Sequence, residues 1–116
     1  MPNLVMEYSE SVAEQVNIAA LLDDLHQVCL QSALFEDDAI KSRCYPCHHW
    51  QIGRREDSCD FIHVDFALLS GRDEQSKQRL AEQFLGVLRH HAGAVFSLTI
   101  EMRDMDKATF TKALQA

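Results

Sequence analysis

Apolar and polar residues alternate from the start of the chain. In NLVMEY, residues 3–8, Leu4, Met6 and Tyr8 share one face and Val5 and Glu7 the other. That period of two predicts a short strand. The period then lengthens. Ile18, Leu21, Leu22, Leu25, Val28 and Cys29 recur at helical spacing, with Asp23, Asp24, Gln27 and Gln31 mostly opposite. This predicts a helix from about 13 to about 32. Ser11 with Glu14 resembles a capping box, and Asn17 is a second candidate cap. Residues 39–52 read as extended but irregular, and Pro46, which lacks an N–H, makes this an edge or broken strand. GRREDS, 53–58, is a turn. DFIHVDFALL, 60–69, is the clearest strand, with Ile62, Val64, Phe66 and Leu68 on one face and His63 and Asp65 on the other. Leu80, Ala81, Phe84, Val87, Leu88 and His91 mark a second helix, about 73–91, with Gly93 as its stop. AVFSLTIEM, 94–102, alternates again: Phe96, Leu98, Ile100 and Met102 against Ser97, Thr99 and Glu101. The tail, 103–116, is expected to form a short strand or turn that docks on something.

The order is β-α-β-β-α-β, two strand–helix–strand halves offset by nearly sixty residues. A crossover unit favours parallel pairing within each half. The expected class is α+β, a four-stranded sheet with two helices on one face. The other face would carry Glu7, His63, Asp65, Ser97, Thr99 and Glu101. Such a face is either solvated or a polar interface between subunits, and alternation alone does not choose. His63 and Asp65, two apart, have the spacing of a catalytic pair. A polar interface pair is favoured, because structural networks also use such groups.

Composition narrows the class. At 116 residues the chain is long enough for one domain, 1–116, with one core. No apolar run approaches the roughly 20 residues of a membrane span. MPNLVMEYSESVAEQ has neither a basic n-region nor a long apolar h-region, so the cytoplasm is expected. Cys29, Cys44, Cys47 and Cys59 are then expected as thiols. A formal charge of −7 argues against non-specific nucleic-acid binding. Lys41, Arg43, Arg54, Arg55 and Arg72 nevertheless gather in the middle of the chain, where they could serve a small anion.

CYPCHHW, 44–50, fits the C-x-x-C-H spacing of covalent haem attachment and supplies half a zinc site. Haem attachment of this kind belongs to exported chains. In a strand, Cys44 and Cys47 point to opposite faces. Cys59 and His63 do not repeat either zinc spacing. The preferred reading is two thiols on an edge strand, with no metal.

The opening Met1-Pro2 is a different signal. Methionine before a small residue is normally removed, which would leave a proline secondary amine at the head of a strand. An α-amine titrates near about 7.7–8.0. Burial and neighbouring cations lower that value and make the amine a usable base. Met1-Pro2 is followed by Glu7-Tyr8-Ser9, Ile40-Lys41-Ser42-Arg43, Trp50-Gln51, Phe61-Ile62-His63, Gly71-Arg72 and Glu101-Met102. In this order and spacing the chain resembles the 5-carboxymethyl-2-hydroxymuconate isomerase family, of the tautomerase superfamily with an amino-terminal proline.

The resemblance covers nearly the whole chain. It implies a tautomerase-like fold, a homotrimer with active sites at subunit boundaries, and a cofactor-free isomerase. The implied substrate is a dienol polycarboxylate from aromatic catabolism, the homoprotocatechuate route. Pro2 is implied as general base and then acid, and Arg72 as a substrate-binding residue, with Arg43 a second candidate. The position of Lys41 resembles one held by an arginine, so charge is kept and the bidentate fork is lost. Residues 44–49 replace a more hydrophobic segment, and the tail is short. A non-catalytic trimer that binds acidic metabolites is the alternative on the same fold.

Overall fold

The computed structural model describes residues 1–57 and 59–116. Strand β1 spans Asn3–Ser9, β2 Lys41–Cys47, β3 Phe61–Leu69 and β4 Ser97–Met105; helix α1 spans Ile18–Gln31 and α2 Glu74–His91. They form one mixed sheet in the order β2-β1-β3-β4. β2 lies parallel to β1 and β4 parallel to β3, so each crossover pairs its own strands. The halves meet where β1 runs antiparallel to β3, with Asn3 opposite Ala67 and Tyr8 opposite Ile62. This is an α+β fold, as the periodicity predicts.

The apolar faces read from the sequence meet in the core. Leu4, Met6, Ile62, Val64 and Phe66 are fully buried, as are Leu21 and Leu25 of α1 and Phe84 and Leu88 of α2. Phe66 stacks obliquely on Phe84, with centroids 5.0 Å apart, and on Phe35 at 5.9 Å. α1 packs on α2 and β2, and α2 packs on β4. Both helices therefore lie on one face, and the other is left open.

Four boundaries differ from the sequence reading. The first helix does not begin near 13. Glu10–Glu14 form a separate 3-10 turn, and α1 starts after Asn17, whose side chain accepts the Ala20 N–H at 3.1 Å. The Ser11–Glu14 capping box does not form. Ser11 instead donates to the Asp60 carboxylate, as does Ser9 at 2.8 Å, because β1 and β3 bring that acid across the sheet. The extended segment 39–52 is shorter, with a 3-10 turn at Asp37–Ala39 before β2. The last strand begins three residues later than the predicted 94, because the Val95 N–H closes a turn onto Ala92 at 3.0 Å. It also takes in 103–105, which leaves only 106–116 as the tail. Gly93 does not supply a left-handed cap: a Cβ there would meet the Arg89 carbonyl at 3.3 Å, so its smallness serves a close approach.

Candidate active site

Strand direction decides what gathers where. β1 and β2 start at the end of the sheet where β3 and β4 finish. That end therefore collects residues far apart in sequence: the chain's start, the turn before β2, the Gly71-Arg72 turn and the tail. The Lys41 N–H donates to the Pro2 carbonyl at 3.1 Å, and the Ser70 N–H donates to the Met105 carbonyl at 3.0 Å.

Pro2 is buried, and its side chain is among the fully enclosed ones. With Met1 in place its nitrogen is an amide. The free amine at this end is that of Met1, held below its ordinary value first by burial, then by the charges of Lys112 and Lys41, with Glu36 opposing. Each cause is expected: burial and cations both disfavour an ammonium.

The four residues singled out from the sequence are not equally close. Pro2 and Lys41 are joined by the backbone bond above. Arg43 lies on the same face of β2 as Lys41, and its Nη1 donates to Asn3 Oδ1 at 3.0 Å. Arg72 is held differently. Its Nη2 donates to the Leu34 carbonyl, and its guanidinium lies 5.3 Å from the Phe35 ring centroid. Ala33, with φ 59°, makes the turn out of α1 that leads to that carbonyl. Arg72 thus belongs to the same end of the sheet but leans toward the helix layer. Among the described residues no hydrogen bond or ion pair links it to Pro2, Lys41 or Arg43. Lys112, Glu36 and Asn3 belong to this neighbourhood and were not read from the sequence. Nothing in the local pattern around Lys112 announces it, since only the tail's path brings it there.

Of the hollows formed by the described residues, three are lined by none of Pro2, Lys41, Arg43 and Arg72. One, of about 710 Å³, sits between α1 and α2, where His91 pairs with Asp24 at 2.6 Å. A second, about 760 Å³, is lined by His48, Trp50, Arg55 and Cys59, and a third, about 230 Å³, by Leu34 and Arg79. None includes Pro2.

The CYPCHHW residues disperse. β2 stays extended through Cys47, so Cys44 packs against the core while Cys47 lies near Glu7 of the open face. The His48 ring pairs with Glu10, and the Trp50 indole donates to the Cys59 carbonyl at 2.8 Å. Among the described residues no three His, Cys, Asp or Glu side chains cluster as a metal site. His63 and Asp65 do not pair with each other. His63 takes Thr99 at 2.7 Å and Glu101 at 3.5 Å, while Asp65 takes Arg103 at 3.3 Å.

Comparison with known proteins extends this picture. The family described as CHMI, 5-carboxymethyl-2-hydroxymuconate isomerase, matches residues 2–114. A 5-carboxymethyl-2-hydroxymuconate Delta-isomerase of Escherichia coli is 21% identical over 95 residues, 82% of this chain and 75% of the relative. The crystal structure of a 5-carboxymethyl-2-hydroxymuconate isomerase from Deinococcus radiodurans R1 superposes with a TM-score of 0.89 at 23% identity, covering 98% of this chain and 90% of that one. A fused 4-OT described as a wild type symmetric trimer superposes at 0.75 with 14% identity, over 90% of this chain and 87% of that one. With a family match across almost its full length and the same fold as solved isomerases, the chain belongs to the 5-carboxymethyl-2-hydroxymuconate isomerase family and is an isomerase.

Proposed function

We propose that this chain, after loss of Met1, moves a proton within 5-carboxymethyl-2-hydroxymuconate or a related dienol polycarboxylate, using the Pro2 nitrogen as base and then acid. One observation carries the reading. In a chain of this isomerase family, Pro2 is enclosed at the head of β1, bonded to Lys41, at an end where burial and two lysines already depress an amine. Burial and nearby cations shift an amine so placed toward its neutral form, the state a base needs.

The steps balance in protons. The neutral amine takes the enol proton, which leaves a delocalised dienolate. The ammonium then returns that proton to carbon at the far end of the conjugated system. Negative charge on oxygen rises in between, and cations placed before the reaction lower its cost. Arg72, Arg43 and Lys41 are assigned this task, together with binding the carboxylates. Arg72 is suited to it because the Leu34 carbonyl and Phe35 hold its fork in place. No metal or organic cofactor takes part in this scheme.

The proposal takes residues 1–116 as one tautomerase-like domain, supported by one continuous hydrophobic cluster drawn from both halves. It takes the working form as a homotrimer in the cytoplasm. The open sheet face supports an assembly that covers it, and four free thiols suit a reducing compartment. Among the described residues no helix is long and apolar enough to cross a membrane.

The test is turnover of 5-carboxymethyl-2-hydroxymuconate, followed by ultraviolet absorbance, on protein shown by mass to lack Met1. Conversion well above the buffer rate is expected. Pro2→Ala should lower kcat by about 10²-fold or more, the usual worth of a positioned acid–base group. An unchanged rate in that variant would remove Pro2 from the mechanism.

A further inference from the structure

Among the described residues five cations at the proline end have no carboxylate partner: Lys41, Arg43, Arg72, Lys107 and Lys112. In a chain of net charge −7 that is not for want of acids. The carboxylates nearest in sequence to Lys107 are already engaged. Asp104 pairs with Lys77 at 3.2 Å, and Asp106 accepts the Ala108 N–H at 2.9 Å.

Lys107 and Lys112 come from the tail, and the tail is tied to this end. Its root, Met105, accepts the Ser70 N–H, and the Thr109 N–H closes a turn on Asp106 at 3.2 Å. The turn sets Lys107 Nζ 3.7 Å from where a Cβ on Gly71 would stand, one residue before Arg72. Gly71 has φ 116°, a backbone that side chains rarely adopt, so the approach is left open. Phe110 is half-buried, and beyond it Lys112 passes close enough to the chain's start for its charge to act on the amine there.

We propose that Lys107 and Lys112 are specificity-determining residues of this site, which hold the substrate's third carboxylate beyond those met by Lys41 and Arg72. The inference rests on the proline end being the active site. Its physical basis is the absence of competition. An ammonium with no carboxylate of its own releases only water when it takes one from a ligand, and long flexible stems let two lysines adjust to its position.

The experiment compares processed wild type with the double variant Lys107→Ala, Lys112→Ala and the charge-conserving Lys107→Arg, Lys112→Arg. Circular dichroism and sedimentation first confirm equal folding and assembly. Calorimetry then measures binding of tricarballylate, an unreactive tricarboxylate, and of glutarate, a dicarboxylate. Steady-state kinetics use 5-carboxymethyl-2-hydroxymuconate and 2-hydroxymuconate, which lacks the carboxymethyl arm.

The alanine pair should weaken tricarballylate about tenfold and glutarate less than twofold, the span of one charge-assisted contact. Above the acid limb of the pH profile, where loss of the Lys112 charge no longer alters the fraction of neutral amine, KM should rise for the tricarboxylate alone with kcat unchanged, and the arginine pair should restore KM. Equal weakening of both ligands, no change in either, or wild type that binds tricarballylate no better than glutarate overturns the proposal. If wild type binds as expected but turns over neither substrate, the isomerase chemistry fails while the tail assignment stands. If turnover is normal and the alanine pair leaves both KM values unchanged, only the tail assignment fails.

Discussion

Single residues here are governed by the surroundings of one atom. Burial and the charges of Lys112 and Lys41 hold the N-terminal amine below its ordinary value of 8.0. For the proposed enzyme, processed and with Pro2 as its base, this has a definite sign. A cation nearby disfavours the ammonium, so Lys41→Ala raises the pKa of the base. The acid limb of kcat/KM should then move to higher pH, and a limb unchanged or moved lower removes Lys41 from the amine's environment. Cys29 shows the opposite effect of enclosure. Its thiol is fully buried and pushed up to about 12. A thiol reagent that attacks thiolate should modify Cys29 in native protein more slowly than Cys44, Cys47 or Cys59 and reach it at full rate only on unfolding. Early modification of Cys29 would contradict this enclosure.

At the scale of elements, termini matter more than propensity. α1 is started by one side-chain bond, Asn17 to the Ala20 N–H, and no acidic residue supports its first turn. Asn17→Ala should cost about 1 kcal/mol in urea unfolding, while Asn17→Asp, which keeps the acceptor, should cost less. Equal losses would mean that the helix start is fixed by packing alone. α2 is better provided. Asp73 caps it by accepting the Ser76 N–H at 2.7 Å, and Arg89, His90 and His91 close its last turn. The carboxyl of Asp73 is held below its ordinary value mainly by its bonds to Ser76. Its share of the stability is therefore complete above the unfolded carboxylate range and is lost as pH falls through its lower folded value.

The whole molecule is defined by a sheet covered on one side only. Val5 sits near the middle of the bare face, opposite Arg43 on one neighbour and Asp65 on the other, and is half-buried. The radius of gyration is 15.1 Å, against roughly 13 Å for a compact chain of about this length. The longest extent is 44 Å. A second and third copy placed on the bare face would bury it. Val5→Asp carries a charge into that interface without touching the helix-side core. In sedimentation it should convert the proposed trimer to smaller species with unchanged far-ultraviolet dichroism. A variant that stays trimeric places the interface elsewhere.

The sequence alone determined the elements and their inward faces, because burial imposes a period of two on strands and 3.6 on helices. Leu4, Met6, Ile62, Val64 and Phe66, and Leu80, Phe84 and Leu88, could be placed on inward faces for that reason. It also determined parallel pairing within each half, since a helical crossover permits little else. Pro2, Lys41, Arg43 and Arg72 are proposed for the site through the resemblance of spaced motifs, not through periodicity. Tertiary structure alone decided which acids and cations meet. Ser11 looked like a local cap, yet it is drawn to Asp60 from the neighbouring strand. His63 and Asp65 looked like a pair, yet each finds its partner on β4. Lys107 and Lys112 carried no local signal at all. Their place beside Gly71 and the chain's start follows from the antiparallel meeting of β1 and β3, a long-range contact that local pattern does not encode.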